Sequence, residues 1–193
     1  MKKAIIAAGA SAVLAAMPVV GVFAAEGDGT MTTTDTVEVT ISNSCGLTAT
    51  GNTSAFSATM ENGATKSDFG TTTISITCND KGGWKLSAIG GDDGTAATGV
   101  TTMNAANGGT AIATGTSTTG DSTWAMKVTG NNAVSGFTSF ANIPGTLTKV
   151  AESNAATSAA TLETGYQVHI SATQQADTYT GKVTYVLAHP NSN

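Results

Sequence analysis

The amino-acid sequence predicts an all-β protein, an antiparallel β-sandwich preceded by an export signal. β-Branched and apolar residues alternate with polar ones over several short segments, as in strands with one buried face. Turns rich in Gly, Asn and Asp separate these segments, and no convincing helix follows the first 24 residues. Only 11% of the residues are charged, which can indicate disorder when apolar residues are also scarce. Here the alternating Thr, Val and Ile residues instead favour half-buried strands.

The chain begins with the pattern of a cleavable secretory signal. A positive start, Met1–Lys3, precedes uncharged residues from 4 to 22, and Val22-Phe23-Ala24 fits a cleavage site before Ala25. A retained membrane helix is the alternative, since such a helix needs about 20 apolar residues. Pro18 within the stretch and the acidic residues after it favour cleavage. We therefore expect a secreted or cell-surface protein with no membrane span after cleavage.

Cleavage divides the chain and changes its charge. We expect a signal peptide over 1–24, a flexible leader over 25–35 and a β-sandwich domain over 36–189, with a Gly/Thr-rich loop region near 90–120. Loss of Lys2 and Lys3 leaves 6 basic and 13 acidic residues, a net charge of −7, and the chain contains no Arg. This composition argues against binding to nucleic acid or anionic lipid.

The two cysteines, Cys45 and Cys78, predict a disulfide. An even pair in an exported chain is typical of a structural bridge, here closing a loop of about 34 residues. A redox or zinc site is the alternative. The chain has no CxxC motif, and two distant histidines do not complete a zinc ligand set.

The first half of the domain shows three strand patterns. Residues 36–41 alternate, residues 54–60 do so more weakly, and residues 71–78 carry the clearest alternation. Asn79 to Gly83 form a turn signal, and 84–89 resume an alternating pattern. This succession predicts a hairpin between 71–78 and 84–89.

The second half starts with the 90–120 region, where 100–103 and 111–114 suggest short edge strands. A clean strand follows over 122–128, and two more strands, around 166–172 and 179–187, close the chain. Between them, 155–162 could form a helical turn. Four apolar side chains of the poorly patterned 131–160 stretch are expected to fill the core: Phe137, Phe140, Ile143 and Leu147.

The sum is seven to ten short strands, which favours an immunoglobulin-like antiparallel β-sandwich. A closed barrel and a jelly roll are the alternatives.

Three segments resemble a known type of secreted sandwich. The first is a strand running into Cys45, followed by Asp68-Phe69-Gly70 and Ile74-Ser75-Ile76-Thr77-Cys78. The second is the pair 84–90 and 122–128, and the third is the ending 177–187. Together they are similar to surface proteins of the spore coat protein U and fimbrial-subunit type. They are closest to uncharacterised exported proteins of candidate-phylum bacteria of the Saccharibacteria kind. The resemblance implies a structural surface protein, although residues 25–35 lack the large apolar residues of a donated strand.

Catalytic chemistry has little support in the sequence. His169 shares its parity with Gln167 and Ser171, opposite the apolar face, and is expected to face solvent; His189 follows the last strand. The chain has no GxSxG or HExxH motif and no phosphate-cradling glycine loop before a helix. We expect no enzyme activity and no cofactor.

Two weaker ligand sites stay open. Asp92 and Asp93, with Asp80 and Asp121 elsewhere, are weak calcium candidates, although Asp-Asp-Gly is also an ordinary turn. Trp84 and Trp124 could face a sugar ligand, although tryptophans in alternating strands more often belong to the core.

The sequence therefore predicts a secreted or cell-surface structural or adhesive protein: a coat, pilus-like or attachment module. Its partners would be cell-envelope components, a host-cell surface or copies of itself. The alternative is an extracellular carbohydrate- or calcium-binding module.

Overall fold

The computed structural model describes residues 44–51 and 59–189, and this part of the chain is all-β, as predicted. The predicted signal, the leader, the strand over 36–41 and most of the strand over 54–60 lie outside the described residues. The strands are β1 (Cys45–Gly51), β2 (Thr65–Cys78), β3 (Trp84–Gly90), β4 (Asn104–Ala105), β5 (Ala113–Thr114), β6 (Thr123–Thr129), β7 (Ala141–Asn142), β8 (Thr148–Ser153), β9 (Thr157–His169), β10 (Tyr179–Thr180) and β11 (Val183–Ala188).

The strands form two main sheets that pack against each other as a β-sandwich. The larger sheet has the order β1-β2-β9-β6-β5, with β7 also paired to β6, and the smaller has the order β11-β3-β8. Strands β4 and β10 form a separate pair. All pairings are antiparallel except that of β5 with β6. The seven strands of six or more residues divide four to three between the sheets, as in an immunoglobulin constant domain.

The inner faces of β2 and β6 are those that the alternating pattern predicts, and the facing strands contribute further buried residues. Ile74 and Ile76 of β2, Leu86 of β3, Met126 of β6 and Leu162 of β9 are at most 1% exposed and pack in one cluster. Because successive strand residues point to opposite faces, the Thr and Ser residues between these positions lie on the outer face of their sheets.

The predicted disulfide is present. Cys45 and Cys78 lie directly opposite each other on neighbouring strands, with their Cα atoms 4.1 Å apart. The bond therefore lies within the larger sheet, whereas the bridge of antibody domains joins the two sheets. It attaches β1, the edge strand of the larger sheet, to β2.

The predicted hairpin is wrong. Strand β2 pairs with β1 and β9, whereas β3 pairs with β11 and β8, so the turn over 79–83 carries the chain from one sheet to the other. A turn signal between two alternating segments does not distinguish a hairpin from a connection between sheets, because both reverse the chain direction.

Other local predictions need correction. Residues 157–169 form strand β9, which excludes a helical turn over 155–162. The 100–103 segment is not a strand; Met103 makes one bridge to Ile112, and β4 begins at Asn104. Leu147 is 47% exposed rather than a core residue, while Ile143 is buried.

A tyrosine pair joins the two sheets inside the sandwich. The hydroxyls of Tyr166 on β9 and Tyr185 on β11 lie 3.2 Å apart, and the Tyr166 ring stacks on Trp124. Removal from water raises the pKa of both hydroxyls, and the neighbouring Tyr166 raises that of Tyr185 further. Both side chains therefore stay neutral in the folded protein at a pH where the unfolded chain begins to ionise.

This pair predicts a loss of stability in alkali. Because unfolded tyrosine ionises from about pH 10 and the folded pair does so only at higher pH, the free energy of unfolding should fall as the pH rises above about 10. In the double variant Tyr166→Phe/Tyr185→Phe, the free energy of unfolding should fall less over the same pH interval. Urea unfolding at about pH 8 and about pH 11 measures both losses. Equal losses in the two proteins would contradict the assignment.

Candidate functional site

The sandwich has two unlike ends. The base is the turn over 79–83, where the chain passes between the sheets. From it, β3 runs to Gly90, which pairs with Val183 at the start of β11. In the larger sheet, β9 runs from its pairing with Cys78 near the base to His169 at the opposite end. The long segments 91–122 and 170–182 both lie at this opposite end, which we call the loop end.

Both ends of the described domain contact the base. The Ser44 N–H donates to Asn79 Oδ1 at 2.6 Å, and Asn79 N–H donates to the Ser44 carbonyl at 3.1 Å. At the other terminus, His189 Nδ1 lies 3.1 Å from Oδ2 of Asp80, whose side chain is fully buried. The first and last described residues of the domain, Ser44 and His189, therefore both lie at the base.

Hydrogen bonds hold the two segments of the loop end together. Ala106 N–H donates to the Thr178 carbonyl at 2.9 Å, next to the short β4–β10 pair. Gln174 Nε2 donates to the Thr110 carbonyl at 2.7 Å and to the Tyr179 hydroxyl at 2.7 Å. These bonds fix the Gly/Thr-rich segment against the last loop, so its conformation is defined even though it contains little regular structure.

A small polar cleft lies between these segments. It has a volume of about 200 Å³ and is lined by Asn107, Gly108, Gly109, Gln175, Ala176 and Asp177. Gly108 has a φ of +87°, and the position of an added Cβ has no heavy atom within 4 Å, so the backbone there is open to solvent. The cleft therefore offers backbone and amide groups rather than an apolar wall.

Asp177 organises the floor of the cleft. Its carboxylate accepts hydrogen bonds from the backbone N–H groups of Asn107, Gly109 and Thr178, and from Asn107 Nδ2 at 2.8 Å. Withdrawal from water raises the pKa of this carboxyl, but the hydrogen bonds outweigh that effect and leave it below the ordinary value. Asp177 is therefore an ionised anchor for two loops.

The four N–H donors also decide what Asp177 can bind. A carboxylate has about four lone-pair sites, and four N–H groups already approach this one. A calcium ion would have to displace these donors before it could reach the oxygens. The cleft is consequently unsuited to a cation, and the negative charge disfavours an anion.

Two calcium candidates from the sequence, Asp92 and Asp93, make other contacts. Asp92 Oδ2 pairs with Lys182 Nζ at 2.7 Å, and this bond and the ammonium charge lower the pKa of Asp92. Asp93 Oδ1 instead accepts from the N–H and hydroxyl of Thr95, which lower its pKa. Asp80 lies at the base. Among the described residues, no three His, Cys, Asp or Glu side chains are grouped to hold a metal ion.

Both tryptophans belong to the core, so neither ring is available to stack on a sugar. Trp84 is 1% exposed and Trp124 is 4% exposed. They differ in one respect: Trp124 Nε1 donates to the Thr101 carbonyl at 2.7 Å, whereas within the described part of the chain Trp84 Nε1 has no acceptor. Trp124 thus connects the core to the loop end.

This difference predicts that a Trp→Phe substitution lowers the free energy of unfolding by different amounts at the two positions. Trp124→Phe removes a partly buried hydrogen bond and leaves the Thr101 carbonyl without the indole donor. Trp84→Phe removes an N–H that has no acceptor among the described residues. We expect Trp124→Phe to lower the free energy of unfolding by about 1–2 kcal/mol more than Trp84→Phe does. Urea unfolding of both variants measures the difference. A larger loss for Trp84→Phe would contradict it.

His169 is not solvent-facing, which corrects the sequence prediction. It is 4% exposed, and its Nδ1 lies 2.9 Å from the Thr65 hydroxyl on the neighbouring strand. The alternating pattern of β9 correctly places His169 on the face opposite the core. However, this pattern does not show which residues cover that outer face. His189 contacts Asp80 at the base, far along β11 from the loop end.

Sequence reasoning missed the cleft residues. Asn107, Gln175 and Asp177 occur in segments whose composition is that of ordinary turns. Their common location depends on the hydrogen bonding of β4 with β10, two strands of two residues each. Such short pairings leave no periodic signal in a sequence.

The structure contains no helix with the length and apolar character needed for a membrane crossing within the described residues. No protein-family model, no curated protein and no solved structure matches this chain.

Proposed function

We propose that this chain is a secreted or cell-surface attachment protein, structural or adhesive in role and without catalytic activity. The observation that carries the proposal is the polarity of the sandwich. The long segments 91–122 and 170–182 are hydrogen-bonded together at one end, while Ser44 and His189 are both held at the other. A rigid scaffold that presents loops at one end is a common arrangement for binding to a surface.

Export is the second support. The signal pattern over 1–24 would deliver the chain to an oxidising compartment, where the Cys45–Cys78 bridge is stable. The low charge and abundant exposed Thr and Ser side chains also suit an extracellular surface. Cell-envelope components, a host-cell surface and copies of the chain itself are the candidate partners.

A carbohydrate-binding role is the second candidate, and the polar cleft favours it. The cleft presents amide groups and no free carboxylate, which fits a neutral ligand better than calcium. The two candidates are compatible, because attachment can proceed through a surface glycan.

Immunogold labelling of intact cells tests the proposal. The chain, expressed with its own first 24 residues, should be labelled on the cell surface and should start at Ala25 by mass spectrometry. The Leu14→Arg variant, which places a charge in the apolar run, should remain inside the cell as a control. A released monomer that leaves cells unlabelled, and that binds neither envelope preparations nor host cells, would overturn the proposal.

A further inference from the structure

The cleft contains two amide side chains that are each fixed at one end. Asn107 Nδ2 donates to Asp177 Oδ1 at 2.8 Å, and Gln175 Oε1 accepts from the Thr110 N–H at 3.2 Å. The other end of each amide, Asn107 Oδ1 and Gln175 Nε2, has no partner among the described residues. Because one end is anchored, the opposite end is oriented before any ligand arrives.

The lining of the cleft therefore includes one acceptor and one donor, and its only carboxylate, Asp177, is already occupied. Asp177 is saturated by N–H donors, so a cation has no oxygen to bind, and its charge repels an anion. An apolar ligand finds no apolar wall, since the remaining lining is Gly108, Gly109 and Ala176. The chemistry that remains is a neutral group that both donates and accepts hydrogen bonds.

Adjacent hydroxyl groups have this property, and a volume of about 200 Å³ suits one sugar ring rather than a longer ligand. We propose that the cleft binds a single neutral saccharide residue, with one hydroxyl donating to Asn107 Oδ1 and a neighbouring hydroxyl accepting from Gln175 Nε2. The open backbone at Gly108 leaves room for the rest of a glycan to extend into solvent. This inference rests on the proposed attachment function and names the chemistry of its ligand.

The test is a glycan array of uncharged oligosaccharides, probed with the exported protein in the presence of a calcium chelator. The decisive variant is Gln175→Glu, which keeps an oxygen for the Thr110 N–H but replaces the donor with an acceptor. Its affinity for the retained glycan should fall at least about 10-fold, as expected for the loss of one ligand hydrogen bond. Gln167→Glu makes the same change on β9, where Gln167 Nε2 contacts the Ser67 hydroxyl, and should bind as the unaltered protein does.

Four outcomes are distinguishable. Loss of binding in Gln175→Glu alone, with thermal unfolding unchanged, supports the saccharide cleft. Equal binding by both variants overturns it, because the glycan then binds elsewhere. If no glycan is retained although the protein labels cell surfaces, the cleft inference is wrong while the attachment function stands; if surface labelling also fails, the attachment function is wrong as well.

Discussion

Reduction of the Cys45–Cys78 disulfide is expected to lower the free energy of unfolding by about 3–4 kcal/mol, the entropic value for a loop of this length. The two cysteines are 33 residues apart in sequence, and between them lies the chain that joins edge strand β1 to β2. Without the bond, β1 is attached through its backbone pairing with β2 and can separate from the sheet more easily. The unfolded chain also has more conformational entropy, because the loop between the two cysteines is no longer closed.

Urea unfolding of the oxidised and reduced protein measures this effect. The Cys45→Ala/Cys78→Ala variant is the control, since it should unfold near the reduced protein whether or not reductant is present. A difference below about 1 kcal/mol between the oxidised and reduced forms would show that the bond contributes little to the fold.

Gly83→Ala is expected to destabilise the protein by at least about 3 kcal/mol, among the larger effects of single substitutions. Gly83 ends the base turn with a φ of +81°, and a Cβ there would lie 1.8 Å from the Ser153 carbonyl oxygen on β8. The side chain can be accommodated only if β8 moves away from β3, which breaks part of the smaller sheet.

Gly63→Ala is the control that separates backbone strain at a positive φ from the steric clash with β8. Gly63 has a nearly identical φ of +80°, but its Cβ position has no heavy atom within 4 Å. This control should therefore cost about 1–2 kcal/mol, the strain of a left-handed residue alone. Thermal and urea unfolding of both variants give the comparison, and similar losses in the two would show that close packing at the base is not limiting.

The strands over 71–78 and 122–128, together with their inner faces, could be predicted from alternation alone. Ile74, Ile76, Trp124 and Met126 lie in the core as their parity requires, because a period of two fixes the face of each residue once the strand is known. The disulfide could be predicted for a different reason: the sequence contains only two cysteines.

The partners of each strand could not be predicted. The pattern of β2 and β3 fits a hairpin as well as it fits two strands in different sheets, since both arrangements bury the same side chains. The same limit applies to His169, whose burial depends on what covers the outer face of β9. Pairing and coverage are set by contacts distant in sequence, which alternation within one segment does not encode.

The cleft could not be predicted either, because it too depends on contacts between residues that are distant in sequence. Its residues lie on two loops about 70 positions apart, and Asp177 joins them through hydrogen bonds to Asn107 and Gly109. In the sequence each residue belongs to a common turn composition. Only the three-dimensional arrangement shows that four N–H groups donate to the Asp177 carboxylate. It also shows that Asn107 Oδ1 and Gln175 Nε2 make none of these bonds.

The most direct test of attachment through the loop end is hydrogen-exchange mass spectrometry of the exported protein, free and bound to the envelope or cells that it labels. Binding should slow exchange in segments 91–122 and 170–182 and leave the base turn over 79–83 unchanged. Protection confined to the base or to the outer strand faces, with both loop segments unaffected, would contradict attachment through the loop end.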